Sequence, residues 1–264
     1  MHSDLICLNC SQPLLKADRY CRTCGQKTDT QRFTVKKIFQ EFVHSLTHAD
    51  RNVFGLIKNL LFNPGITARE YVQGKRKAHF NPFIFLLLCM AVFVFLNSYL
   101  KALGPLPEID QNYLERLGSE AARSEYLRKV NKQAGALAFI QKHSNILGIL
   151  AVPFFSLFTW FLIRKGNWNY AEHIVGNIMF IAFANLAFTL TITPLMAAFS
   201  GSAVYFIFLV LGLFLQSIYL GWAQYQFNGS PGTGYFFYCF FIGLVATACW
   251  GIFTQSVLML YVNS

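Results

Sequence analysis

Two patterns of apolar positions divide the chain. Between residues 33 and 80, apolar residues recur at helical spacing among polar ones. Val35, Ile38, Phe39, Phe42, Val43 and Leu46 fall on one face, with Thr34 as the expected N-cap. A second amphipathic run aligns Val53, Ile57, Leu60 and Leu61, and Pro64-Gly65 is expected to break it. The stretch from Thr67 to Glu70 has the form of a capping box opening a short helix, which Gly74 is placed to end. From residue 82 onward the runs are apolar all round and about 20 residues long, the length a helix needs to cross hydrocarbon. Five spans are expected, at 82–100, 146–163, 174–198, 203–222 and 235–262. The fold class is therefore an all-α integral membrane protein. Its domains are an N-terminal cysteine segment (1–30), cytosolic or interfacial amphipathic helices at 31–80, lying on the membrane surface or packing against the bundle, and a bundle at 81–264. Residues 101–145 form an extramembrane loop, read as a charged helix that can merge into the second span.

Composition agrees with a lipid-facing surface. Of 264 residues, 55% are hydrophobic and only 13% charged, where soluble domains carry about 25% charged. The net charge of +10 is uneven: residues 1–80 hold 13 Lys or Arg against 6 Asp or Glu, and Glu172 is the last acid. The basic end can meet anionic lipid head groups. Nucleic acid, the other usual partner of a basic patch, is disfavoured because the basic segment runs straight into a span.

Residues 7–26 read CLNCSQPLLKADRYCRTCGQ, two Cys-x-x-Cys pairs with ten residues between them. Two such pairs aim four sulfurs at one point, and zinc favours four tetrahedral ligands. Cys7, Cys10, Cys21 and Cys24 are the expected ligands of a structural zinc, with no position left for water. Gly25 suits the tight turn after the second pair; Ser11 stands in the matching place after the first. A redox pair is usually single and set in a βαβ unit, and two disulfides would suit an exported module; neither context is present. Cys89, Cys239 and Cys249 fall in spans as packing residues.

Unbridged cysteines belong in a reducing compartment. That places the N-terminus in the cytoplasm, with five spans putting the C-terminus outside. Arg69, Lys75, Arg76, Lys77, Arg164 and Lys165 follow the positive-inside bias on this orientation, whereas Arg128, Lys129, Lys132 and Lys142 oppose it. The start of the chain lacks the pattern of a cleavable signal peptide.

Further candidates are weaker. His44 and His48 have metal-ligand spacing but lack the Glu of a zinc protease motif. Asn177, Asn185, Thr189 and Thr193 share one face of the third span, as a polar path or as glue between helices. Gly243, Thr247 and Gly251 permit close helix contact. The spans hold no carboxylate or lysine at their centres, which disfavours proton-coupled transport. No nucleophile–base pair or phosphate loop is present, which disfavours an enzyme.

The segment NPGITAREYVQGKR at 63–76, continuing to Asn81, Pro82 and Phe83, together with the cysteine start ending Cys24-Gly25-Gln26, resembles a family of uncharacterised bacterial membrane proteins. These carry an N-terminal zinc ribbon, a Pro-Gly…Glu-Tyr…Gly-Lys-Arg…Pro signature and several spans. The resemblance implies a bacterial inner-membrane protein and brings no established activity. Glu70, Tyr71, Lys75 and Arg76 are the candidates for a lipid-head-group or ligand site. The leading expectation is a non-enzymatic adaptor or regulator whose ribbon holds a cytosolic protein partner. The alternative is a transporter or lipid-handling protein with a polar site among spans three to five.

Overall fold

The structure is a computed structural model that describes residues 5–15, 17–38, 53–100, 107–200, 202–229 and 232–263. It is an all-α membrane protein with a small cysteine module at its N-terminal end. Strands β1 (Leu5–Ile6) and β2 (Pro13–Leu14) pair antiparallel. The helices are α1 (Val53–Phe62), α2 (Pro64–Val72), α3 (Pro82–Leu100), α4 (Gln111–Arg116), α5 (Glu120–Leu162), α6 (Tyr170–Ala198), α7 (Ala203–Asn228) and α8 (Thr233–Asn263). Thr34 acts as expected: its hydroxyl accepts from the Lys37 amide at 3.3 Å as a helix begins. The rest of that amphipathic face, including His44 and His48, lies outside the described residues.

Helix α6 is the hub, packing against α2, α3, α5 and α7. Its first turn has a capping box. Asn169 Oδ1 accepts from the Glu172 amide at 3.0 Å, and Glu172 Oε2 accepts from the Asn169 amide at 2.8 Å. Among the described residues, four helices are long and apolar enough to cross a membrane: α3, α6, α7 and Thr233–Val257 of α8. The expected second span is the short one. Its apolar part, Ile146–Leu162, ends the 43-residue helix α5 and falls just short of the other four in length. At about 1.5 Å per residue it is near the lower limit for crossing hydrocarbon. The preceding charged helix does run into it without a break.

The region before α3 corrects two expectations. Pro64-Gly65 separates α1 from α2 but also opens α2, with Pro64 in its first turn, where its missing N–H and fixed φ are harmless. Thr67 is inside that helix rather than at its cap, its hydroxyl donating to Asn63 O at 2.8 Å. Gly74 stops α2 as expected. With φ +114° it lets the Lys75 amide reach Glu70 O (2.9 Å) and the Gly74 amide reach Tyr71 O (3.1 Å), a Schellman closure.

Helix α2 is mostly packed into the bundle rather than laid on it. Pro64, Gly65, Thr67, Ala68, Tyr71 and Val72 are buried. A Cβ on Gly65 would stand 2.2 Å from Phe227 N and 2.3 Å from Ala223 O. This glycine is therefore required by the close approach of α7, more than by the turn. Helix α1 buries Leu56 and Leu60, whereas Leu61, expected on the same face, is exposed beside Phe54 and Phe62.

Candidate metal centre and the Gly74 docking site

Each Cys-x-x-Cys pair folds into the same short turn. The Cys7 amide donates to Gln12 O and the Ser11 amide to Cys7 O; the Cys21 amide donates to Gln26 O and the Gly25 amide to Cys21 O. Both turns need a left-handed residue. Gly25 supplies φ +71°, and Ser11 adopts φ +59° despite its Cβ. The departure noticed in the sequence thus preserves the geometry at some strain.

The four Sγ atoms lie within 4.8 Å of one another, and Cys7–Cys24 and Cys10–Cys21 are each 3.6 Å apart. A tetrahedron of sulfurs at about 2.3 Å from a central ion has edges of about 3.8 Å, so the set fits a four-thiolate metal site. Local dipoles favour the thiolate form at Cys21 and Cys24, whereas Cys10, despite the Gln12 contact, is pushed up to about 12 by desolvation and the neighbouring thiols. The Cys24 and Thr23 amides bring the Cys21 thiol down to about 6, and the Gln26 amide lowers that of Cys24. Cys89 and Cys239 are free thiols buried among bundle side chains.

The cysteine module is fastened to the turn that follows α2. Gln26 is buried there: its Nε2 donates to Gly74 O at 2.6 Å, and its Oε1 accepts from the Arg76 and Lys77 amides at 3.1 Å each. Asn9 Oδ1 accepts from the Ala78 amide at 3.0 Å. Leu8 presses on Gly74, where a Cβ would stand 2.7 Å from Leu8 Cδ1. Gly74 therefore serves the helix stop and the docking together.

The candidate head-group residues are brought together here, with internal partners. Lys75 Nζ is 2.7 Å from Glu70 Oε1, and His79 Nε2 donates to Glu70 Oε2 at 3.2 Å. The Lys75 ammonium, with His79 beside it, holds the Glu70 carboxyl below its usual range. Burial lowers His79 despite the favourable carboxylate. The Arg76 guanidinium lies 3.9 Å over the Phe33 ring, which stacks on buried Tyr71 at 6.1 Å. Its Nη2 donates to Gln31 O at 2.8 Å.

The polar face of α6 divides into separate contacts. Asn177 Nδ2 donates to Ser156 Oγ (3.1 Å) and Thr159 Oγ1 (2.9 Å) on α5, and its Oδ1 accepts from Gln224 Nε2 on α7 at 2.8 Å. Asn185 Oδ1 accepts from Gln216 Nε2 at 3.0 Å. Thr189 and Thr193 are buried further along. On α8, Gly243 sits 3.4 Å from Ser217 O by its would-be Cβ, and Thr247 meets Ser217 at 3.4 Å, but no described residue lies within 4 Å of a Cβ on Gly251. On α7 a Cβ would stand 2.4 Å from the Phe188 ring at Gly212 and 2.5 Å from the Phe240 backbone at Gly221.

Gln26, Asn9, Phe33 and the Ser156–Thr159–Gln224 partners were not singled out by sequence reasoning. Nor was the pair Arg32–Glu172, which joins the segment after the cysteines to the first turn of α6. The spacing Asn169-x-x-Glu172 was a readable capping signal.

Residues 50–94 match the model of a family described as a protein of unknown function (DUF3667). The matched stretch contains α1, α2, the Gly74 turn and the first two thirds of α3. No curated protein and no solved structure matches the chain.

Proposed function

We propose that this chain is a non-enzymatic adaptor or regulator of a bacterial inner membrane, with its N-terminus in the cytoplasm. Zinc is the ion its four thiolates would hold, since the set is tetrahedral, all-sulfur and closed to water. The observation that carries the reading is that the cysteine module is fastened in one part and bare in another. It is fastened to the bundle through Gln26 and Asn9. Leu5 and Ile6 of β1 and the nearby Leu15 are exposed. An apolar strand edge held rigidly beside a membrane suits a cytosolic protein partner. The transporter alternative draws less support, because Asn177 and Asn185 are bonded to neighbouring helices and so act as glue.

A photo-crosslinking residue at Ile6 of the full chain in native membranes tests this, with exposed Thr23 as the control position. The reading expects a discrete protein adduct from Ile6 only, lost in the Cys21→Ser, Cys24→Ser chain. No adduct, or the same adducts from both positions, contradicts it.

A further inference from the structure

Between the cysteine module and the Gly74 turn opens a cleft of about 330 Å³, within the size range of small-ligand sites. Lys27 and Lys37 line it from the N-terminal segment, Arg76 and Lys77 from the turn. Asp29 is the one acid among its described lining residues. Cations converging from two walls on a small concavity focus a positive potential within it. Asn81 also lines the cleft, and the next residue, Pro82, begins the candidate span α3. The cleft therefore stands at the end of a candidate membrane helix, where lipid head groups lie within reach of a spanning helix.

A second observation points to a ligand. The His79 side chain lines the cleft and is only 6% exposed. Its Nε2 is used on Glu70, while its buried Nδ1 has no hydrogen-bond partner among the described residues. An anion nearby favours the doubly protonated ring, and Nδ1–H can then donate to it. Tyr20 and Thr30 add hydroxyls to the lining.

We propose that this cleft binds a phosphate-bearing anion, held between Lys27 of the cysteine module and Lys77 of the Gly74 turn. The chemistry is shared by two sources, a lipid head group and free phosphate. The site is independent of the adaptor reading, since the cleft lies on the docked side of the module and not on its exposed strands. Occupancy would join the two walls from which the cleft is built.

The test uses the full, zinc-loaded chain in detergent, with two probes. Binding of phosphatidylglycerol against phosphatidylcholine is measured by native mass spectrometry, and binding of inorganic phosphate by titration calorimetry. Each lysine near an anionic surface is worth about fivefold in affinity, so Lys27→Gln with Lys77→Gln should lose about 25-fold. Arg128→Gln with Lys129→Gln, on the exposed part of α5, is the charge-matched control and should keep its affinity. Selective phosphatidylglycerol binding lost in the first pair supports a lipid head group; saturable phosphate binding lost in that pair supports a soluble anion. The proposal is overturned if neither probe binds. It is also overturned if the two pairs of variants lose affinity equally, or if the first pair keeps full affinity with its zinc retained.

Discussion

Arg32 and Glu172, 140 positions apart in the chain, meet in a two-pronged fork: Nε to Oε1 at 2.5 Å and Nη2 to Oε2 at 2.8 Å. Glu172 is almost wholly buried and also caps α6, while Arg32 remains largely in water. The pair ties the segment following the cysteines to the central helix. Replacing Arg32 by Ala leaves a buried carboxylate without its cation. Because water can reach the vacated side, the loss should be about 2 kcal/mol, below the range for a fully buried pair. Thermal unfolding of the full chain in detergent measures it, and Glu172→Gln should lose less, since the amide oxygen still caps Asn169.

Two small-residue substitutions should act in opposite directions. Gly65→Ala drives a methyl into the α7 backbone at Phe227 and Ala223, and overpacking of this kind costs about 3 kcal/mol. Ser11→Gly removes the Cβ from a left-handed residue and should stabilise the cysteine module by about 1 kcal/mol. Thermal melts monitored together with resistance to chelator separate the two effects.

Asn177 joins three helices and Asn185 only two. Side-chain hydrogen bonds inside membranes average about 0.6 kcal/mol, so Asn177→Leu should lose about 2 kcal/mol on the same count and Asn185→Leu about 0.6. Unfolding by added anionic detergent ranks them. An equal loss, or a larger one at Asn185, would show that the polar face is not organised around Asn177.

Acid should loosen the Gly74 turn. Burial lowers the folded pKa of His79, with Glu70 and Lys75 the charged groups acting on it. The unfolded chain therefore takes up the proton first, from about pH 6.5 downward. The stability His79 contributes is present above that pH and is lost as pH falls through the lowered folded value. Glu70, also lowered, acts in the same direction at more acid pH. The Tm advantage of the native chain over His79→Gln should shrink between pH 7.5 and 5.5; a constant or growing advantage argues against it.

What the sequence reveals here depends on range. The two Cys-x-x-Cys pairs, the Gly74 stop and the apolar runs of α3, α6, α7 and α8 are written in local spacing and were legible. The role of Gly65 was half legible: Pro-Gly signals a break, but the need for a missing Cβ arises only because α7 passes within contact distance. Gln26 stood in view beside Cys24, yet nothing local says that its amide closes on a turn 48 residues later. Arg32 and Glu172 are a lone base and a lone acid until folding opposes them. The second span is the least sharply marked, because its apolar stretch at Ile146–Leu162 is short and continues a charged helix.

The central claim is that the four-cysteine module and the Gly74 turn form one unit. Hydrogen exchange on the full chain in nanodiscs, before and after chelation, tests it most directly. The amides of Arg76, Lys77 and Ala78 are held by Gln26 and Asn9 of the module. Removing the metal should release them together with the Cys21 and Gly25 amides, although residues 76–78 contribute no ligand to the four-cysteine site. If the cysteine amides exchange faster while those of 76–78 keep their protection, the module and the turn are not coupled and the account is contradicted.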